Sequence, residues 1–119
     1  MPKRIVIIGA TSAIAQHCAR LWAVSEAVQF VLVGRNAEKL SAIARDLQVR
    51  NPKVETQIET CDFSDPAGIT ELAKALRQQG TLDIVLIAHG TLPDQQRCQS
   101  DLTAARDAMV INGLSPAYF

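Results

Sequence analysis

The sequence has no excess of charge of either sign, no long apolar run and no paired-cysteine motif. Twelve Lys and Arg balance twelve Asp and Glu, so no net field draws the chain to nucleic acid or to an anionic membrane. No apolar run exceeds five residues, far short of the ~20 that span a bilayer as a helix. Met1-Pro2-Lys3-Arg4 leads directly into a short apolar segment without a cleavage site; no signal peptide is read, and the cytoplasm is the expected compartment. Cys18, Cys61 and Cys98 are widely spaced, and His17 and His89 lie beside no ligand cluster. Metal sites usually show close pairs such as Cys-x-x-Cys. Reduced thiols and no metal are expected.

What is present is a regular alternation of two kinds of apolar block. The 119 residues, 48% of them hydrophobic, suffice for one domain that buries roughly two thirds of its unfolded surface. Ile5 to Ile8, Phe30 to Val33 and Ile84 to Ile87 are short, continuous and largely β-branched. Such runs suit strands covered on both faces in a parallel sheet, and the last of them is expected to extend from Leu82 to Ala88. Val54 to Thr60 instead alternates with polar residues, the pattern of an edge strand with a wetter face.

Between these runs the spacing is helical. Ile14, Cys18, Leu21 and Trp22 share one predicted face; Leu40, Ile43, Ala44 and Leu47 form a second stripe, and Ile69, Leu72, Ala73 and Leu76 a third. Asp65 and Pro66 can open the third helix and Gly80 can close it. A last helix is expected from Ser100-Asp101 through Val110, after a polar loop over 91–99. The order β-α-β-α-β-α-β-α implies right-handed crossovers and a doubly wound parallel α/β sheet with helices on both faces.

The first strand ends in Gly9-Ala10-Thr11-Ser12-Ala13-Ile14-Ala15, and a helix begins inside that segment. A glycine there permits a sharp turn and a close approach of backbone N–H groups to a phosphate. The helix N-terminus adds unpaired donors and partial positive charge. Thr11 and Ser12 could add hydroxyl donors, while small residues at 13 and 15 keep the helix near the sheet. A tight turn with no ligand remains the plain alternative.

These residues resemble the Thr-Gly-x-x-x-Gly-x-Gly signature of the short-chain dehydrogenases/reductases, with Ile8, Ala13 and Ala15 in place of the threonine and two glycines. Three further segments resemble that family in order. Cys61-Asp62-Phe63 is similar to its adenine-contacting aspartate segment. Ala88-His89-Gly90 is similar to its Asn-Ala-Gly motif beneath the cofactor ribose, with His89 read in the asparagine's stead. Ile111-Asn112-Gly113 is similar to the segment bearing the asparagine of the catalytic tetrad. The resemblance implies a single Rossmann-type domain over residues 1–119, sheet order 3-2-1-4, and a dinucleotide held by Gly9, Thr11, Ser12, Ala13, Ile14, Arg35, Asp62, Phe63, Ala88, His89 and Gly90. Asn112 would be its one catalytic residue. Val33-Gly34-Arg35-Asn36 lacks the carboxylate with which NAD-binding members accept the ribose hydroxyls, whereas Arg35 offers a planar cation for a 2′-phosphate. NADP is therefore expected over NAD.

Equally informative is what the motif set omits. The family's proton chemistry uses a serine and a Tyr-x-x-x-Lys pair, but the one tyrosine here, Tyr118, is followed only by Phe119. The expected role is the cofactor-binding N-terminal portion of a carbonyl/alcohol oxidoreductase, with a small-molecule substrate in the full-length protein and a homo-oligomeric state. A non-catalytic nucleotide-sensing module and a ligand-free α/β interaction domain are the alternatives.

Overall fold

Why the apolar blocks become a sheet is visible in the strand register. The computed structural model describes residues 3–89 and 99–114, and four strands run in parallel in the order β3-β2-β1-β4. Central β1 (Lys3–Ile8) pairs with β2 (Val28–Gly34) on one side, from Lys3↔Val28 to Ile8↔Val33. On its other side it pairs with β4 (Ile84–Ile87), from Ile5↔Ile84 to Ile8↔Ile87. Outermost on the β2 side is β3 (Glu55–Thr60), the half-wet edge strand its alternation predicts. The topology is the Rossmann-type arrangement expected from the sequence.

Period-two geometry divides the core between the two faces. Ile5, Ile7, Phe30 and Leu32 meet α1 (Ala13–Ser25) and α2 (Ala37–Arg50), whereas Val6, Ile8, Val31 and Val33 pack with Phe63 and with Leu76 of α3 (Pro66–Gln78). The α2 stripe is as read: Leu40, Ala44 and Leu47 are buried and Ile43 packs beside them. In α3, Ile69 and Leu76 are buried. Asp65 stands at its N-cap without making a side-chain cap bond, and Gly80 follows its end at φ +147°.

Two expectations are corrected. Helix α1 turns Ala15, Ala19 and Ala23 to the sheet, while Ile14 is 74% and Leu21 58% exposed. The i, i+4, i+8 alanine row lets the helix lie close to the strands; of the expected face, Trp22 still packs against the core while Ile14 and Leu21 point outward. Strand β4 is shorter than the expected Leu82 to Ala88; outermost in the sheet, it packs Ile84 and Leu86 on the core and leaves Val85 and Ile87 about half exposed, as its edge position implies. The last helix, α4 (Leu102–Met109), is capped by Asp101, whose Oδ1 accepts from Thr103 N at 2.9 Å. It buries none of its residues and passes into a π-helical turn, Val110–Leu114. Tyr118 and the loop residues 91–98 lie outside the described residues.

Opposite the carboxyl ends of the strands, a buried arginine closes α3. Arg4, only 6% exposed, donates from Nη1 to the carbonyls of Leu76 (2.8 Å) and Gly80 (3.2 Å) and from Nη2 to Gln79 Oε1 (2.9 Å). Its own N–H donates to Asp83 Oδ2 at 2.8 Å. A cation at the helix C-terminus complements the dipole and satisfies carbonyls that have no helical donor. Arg4→Met keeps the stem but leaves those acceptors unpaired, and should cost about 2 kcal/mol in urea denaturation. A loss below about 0.5 kcal/mol, the range of ordinary surface changes, would show that water replaces the guanidinium.

At the other end, Gly9 adopts φ +83°. A Cβ there would press on the backbone nitrogen of His89 and come within 2.5 Å of its Cα. Both the conformation and the contact exclude a side chain. Gly9→Ala should therefore destabilise the chain by about 2–4 kcal/mol, combining backbone strain with overpacking. An unchanged melting temperature would refute the close approach.

Candidate active-site cleft

The carboxyl ends of β1, β2, β3 and β4 all finish on one edge of the sheet. The chain winds outward through β2 and β3, then returns to the other side of β1 as β4. Such a reversal leaves a crevice beyond the strand ends where ligands bind in open α/β sheets. A cleft of about 610 Å³, solvent space at its mouth included, lies here, lined by Gly9, Thr11, Ser12, Arg35, Asn36, Lys39, Phe63, Ala88, His89 and Ile111.

The β1–α1 turn forms one wall, and its hydrogen bonds decide which donors are available. Gly9 N and Ala10 N both donate to Val33 O, at 2.8 and 3.0 Å, and Ser12 N donates to Gly9 O at 3.1 Å. Gly9 is thus a structural hinge rather than a donor to the cleft. Ser12 caps α1 by accepting from Ala15 N at 3.2 Å. Among the described residues, no hydrogen bond occupies the N–H groups of Thr11, Ala13 or Ile14. These are the donors a helix N-terminus offers to an anion. Ala15, fully buried against the sheet, shows why a small residue is required there.

The second wall is the start of α2. Asn36 caps this helix by accepting from Lys39 N at 3.1 Å, and the turn so formed brings Arg35, Asn36 and Lys39 together on the cleft. The sequence reading missed Asn36 and Lys39. The available signal was the N-cap pattern itself, which wraps the residue three beyond Asn36 back toward the strand end. Ile111 was noted only as a neighbour of Asn112. The π-helical turn sets Ile111 in the cleft and against the Phe63 cluster, while Asn112 is exposed and does not line the cleft.

Phe63 and His89 make the floor. Phe63 is buried, and its ring stacks on the imidazole with centroids 4.3 Å apart and planes 19° from parallel. Ala88 N still donates to Ile8 O at 2.7 Å, so Ala88 continues the ladder and His89 is the first residue beyond the sheet. Laid letter by letter on the Asn-Ala-Gly motif, Ala88 takes the asparagine's place and His89 the alanine's. The reading of His89 as the asparagine's stand-in is corrected accordingly: the imidazole is an added group. Burial, and after it the Arg35 charge, hold its pKa below the usual 6.5.

Asp62 takes a different position. It lines an adjoining pocket with Arg35, Thr60 and Cys61 and accepts from Ser64 N at 2.9 Å and Ser64 Oγ at 2.6 Å. Those bonds, with a smaller contribution from Arg35, lower its pKa below 3.8. The plain role of turn formation is therefore satisfied in full. Burial, together with Asp62 and Asp65, raises the Cys61 pKa above 9.0 and keeps it a thiol. Ala13 is exposed beside the cleft, and Gly90 lies outside the described residues. No cluster of metal-ligating side chains occurs among the described residues.

Comparison with known proteins agrees with this architecture. The family model described as short chain dehydrogenase matches residues 3–118. Dehydrogenase/reductase SDR family member 7B of Bos taurus is 37% identical over 87 residues, covering 69% of this chain and 26% of that protein. A short-chain dehydrogenase from Sphingobium yanoikuyae, solved with NADPH, superposes with a TM-score of 0.84 at 22% identity, over 99% of this chain and 45% of that one. An NADH-dependent reductase solved with NAD gives 0.81 at 19% identity, over 98% of this chain and 48% of that one. The chain thus spans about a quarter of the curated relative and just under half of each structural neighbour. With the sheet order, the phosphate-type turn and the matched span all in agreement, this chain belongs to the short-chain dehydrogenase family.

Proposed function

We propose that the cleft binds NADP(H), in preference to NAD(H), and that the chain supplies the cofactor-binding N-terminal portion of an oxidoreductase acting on a small carbonyl or alcohol. The observation that carries the preference is the pairing of Arg35 with Lys39 on a cleft whose described lining contains no carboxylate. A 2′-phosphate is a compact dianion. A guanidinium and an ammonium from one helical turn suit it, whereas a ribose diol needs an acceptor. The donor set fits the remainder of the molecule: the N–H groups of Thr11, Ala13 and Ile14 for the pyrophosphate, and the faces of Phe63 and His89 near the adenosine half.

When bound, the nicotinamide would supply the hydride. The residues of this chain would bind and orient it, with Asn112 in the family's tetrad role, reached through the π-helical turn. A serine and a Tyr-x-x-x-Lys pair would complete proton transfer in the full-length protein, and this sequence has no such pair. The 119 residues alone should bind nucleotide without turning over a carbonyl substrate. Exposed Leu102 and Met109 on α4, with Val85 and Ile87 on β4, support a homo-oligomer. A cytoplasmic location accords with the lack, among the described residues, of any helix long and apolar enough to cross a membrane.

Calorimetric titration tests the preference. NADP⁺ should bind roughly tenfold more tightly than NAD⁺, and Arg35→Ala should remove most of that difference, since tenfold corresponds to ~1.4 kcal/mol, about one charge-assisted contact. Lys39→Ala should remove a smaller part. Equal affinity of the wild type for both dinucleotides would reject the assignment.

A further inference from the structure

Among the described residues that line the cleft, His89 alone is of a type that changes charge near neutral pH. Its position is fixed from two sides, by the ring of Phe63 and by the Gly9 backbone on which its own backbone rests. The charged groups around it come from distinct elements. The start of α2 brings Arg35 and Lys39, and the β3–α3 turn brings Asp62, held by Ser64, with the protonated thiol of Cys61. The β1–α1 turn contributes Thr11 and Ser12, and the π-helical turn Ile111, none of which titrates near neutrality. In this setting burial opposes a charge on the imidazole, and the Arg35 guanidinium opposes it further.

A dianion seated between Arg35 and Lys39 would reverse that balance. It neutralises the Arg35 charge that disfavours imidazolium and adds an opposite charge within the same cleft, where screening is weaker than in bulk water. We propose that His89 is a specificity residue for the phosphorylated dinucleotide: a 2′-phosphate held by Arg35 and Lys39 draws a proton from solvent onto the imidazole, and the imidazolium in return tightens the hold on that phosphate. The proposal rests on the NADP(H) reading of the cleft. Pyrophosphate at α1 acts on His89 for both dinucleotides, so the 2′-phosphate is the part that distinguishes them. Reciprocity requires that proton uptake on binding and tighter binding at lower pH be the same effect.

The direction follows from the two states. In the unliganded cleft His89 is neutral down to its lowered pKa, and the phosphate-bound form holds its proton to a higher pH. Between those two values NADP⁺ binds with proton uptake, and its advantage over NAD⁺ grows as pH falls. The second ionisation of the phosphate, near pH 6, acts in the opposite sense, because a cationic site selects the dianion and releases a proton.

The test is calorimetric titration of the whole chain with NADP⁺ and NAD⁺, in two buffers of different ionisation enthalpy, from pH 6 to pH 8. Wild type, His89→Gln and His89→Ala are compared. At pH 6 the NADP⁺/NAD⁺ affinity ratio of the wild type should exceed that of either variant by about fivefold, and the ratios should converge by pH 8. In the wild type alone, binding NADP⁺ should take up more protons than binding NAD⁺, against the release that phosphate ionisation would give. That comparison stands even if both variants fail to fold. Net proton release with NADP⁺, or identical ratios in all three proteins at every pH, would overturn the role of His89 while leaving an Arg35-dependent preference intact. Absence of nucleotide binding in the folded wild type would overturn this inference together with the reading beneath it.

Discussion

The contact between Gly9 and the backbone of His89 sets the geometry on which the rest of the cleft depends. Strands β1 and β4 are neighbours in the sheet but 75 residues apart in the chain, counted from Gly9 to Ile84. Both must end at the same level and turn away without colliding. At φ +83°, with no Cβ, Gly9 lets the β4 exit pass directly over the β1 exit. Its N–H and that of Ala10 turn inward to Val33 O, which ties the same point to β2. Three strand ends are thereby locked together, and the first free amides appear only at Thr11, on the rim. The glycine of a phosphate turn is usually explained by room for the ligand. In this chain, room for a neighbouring strand is the prior requirement.

The two ends of the sheet treat helix termini in opposite ways. At the amino end, Arg4 fills the carbonyl terminus of α3, and Asn51 Nδ2 donates to Ala23 O at 2.8 Å near the end of α1. Both C-termini therefore have their acceptors met by side chains from other elements. At the carboxyl end, the N-terminus of α1 has only Ser12 as a cap, and three amides stay available among the described residues. Closed carbonyls below and open amides above leave a positive potential at one edge only. Arg35 and Lys39 line the same edge, so a chain with zero formal net charge gathers two cations where the α1 dipole already adds partial positive charge.

How much of this was legible in the sequence depends on what each residue's role requires. The strands announced themselves because burial between two helical layers demands unbroken apolar runs, and the α2 stripe because leucines must reach the sheet. Helix α1 misled because its buried face is alanine, which any helix can carry anywhere. Its larger residues, Ile14 and Leu21, attracted the assignment yet lie outward. The β4 run reads as covered on both faces from composition, whereas its outermost place in the order 3-2-1-4 implies the exposed Val85 and Ile87 that the structure shows. Glycine and cap chemistry located the β1–α1 turn. The role of Lys39 was hidden because it arises from the helical return of the chain after Asn36, not from a motif letter. Asn112 was recognisable by its neighbours, but its place in a π-helical turn depends on how Ile111 is drawn into the Phe63 cluster.

His89 shows what a motif comparison can hide. A resemblance scored over three letters treats the imidazole as one more tolerated substitution. The structure shows it as a residue with volume, a stacked face and a titratable group on the floor of the cleft. Such a group cannot be neutral toward the cleft. It covers Phe63, narrows the floor between β1 and β4, and places a switchable charge on the same cleft as two fixed cations. If the dinucleotide's adenosine half lies on this floor, the base meets an aromatic pair rather than a single ring, and a charge on the imidazole strengthens its pull on phosphate. On the proposed reading, an imidazole at this position adds a response to the 2′-phosphate, the one group by which the two dinucleotides differ.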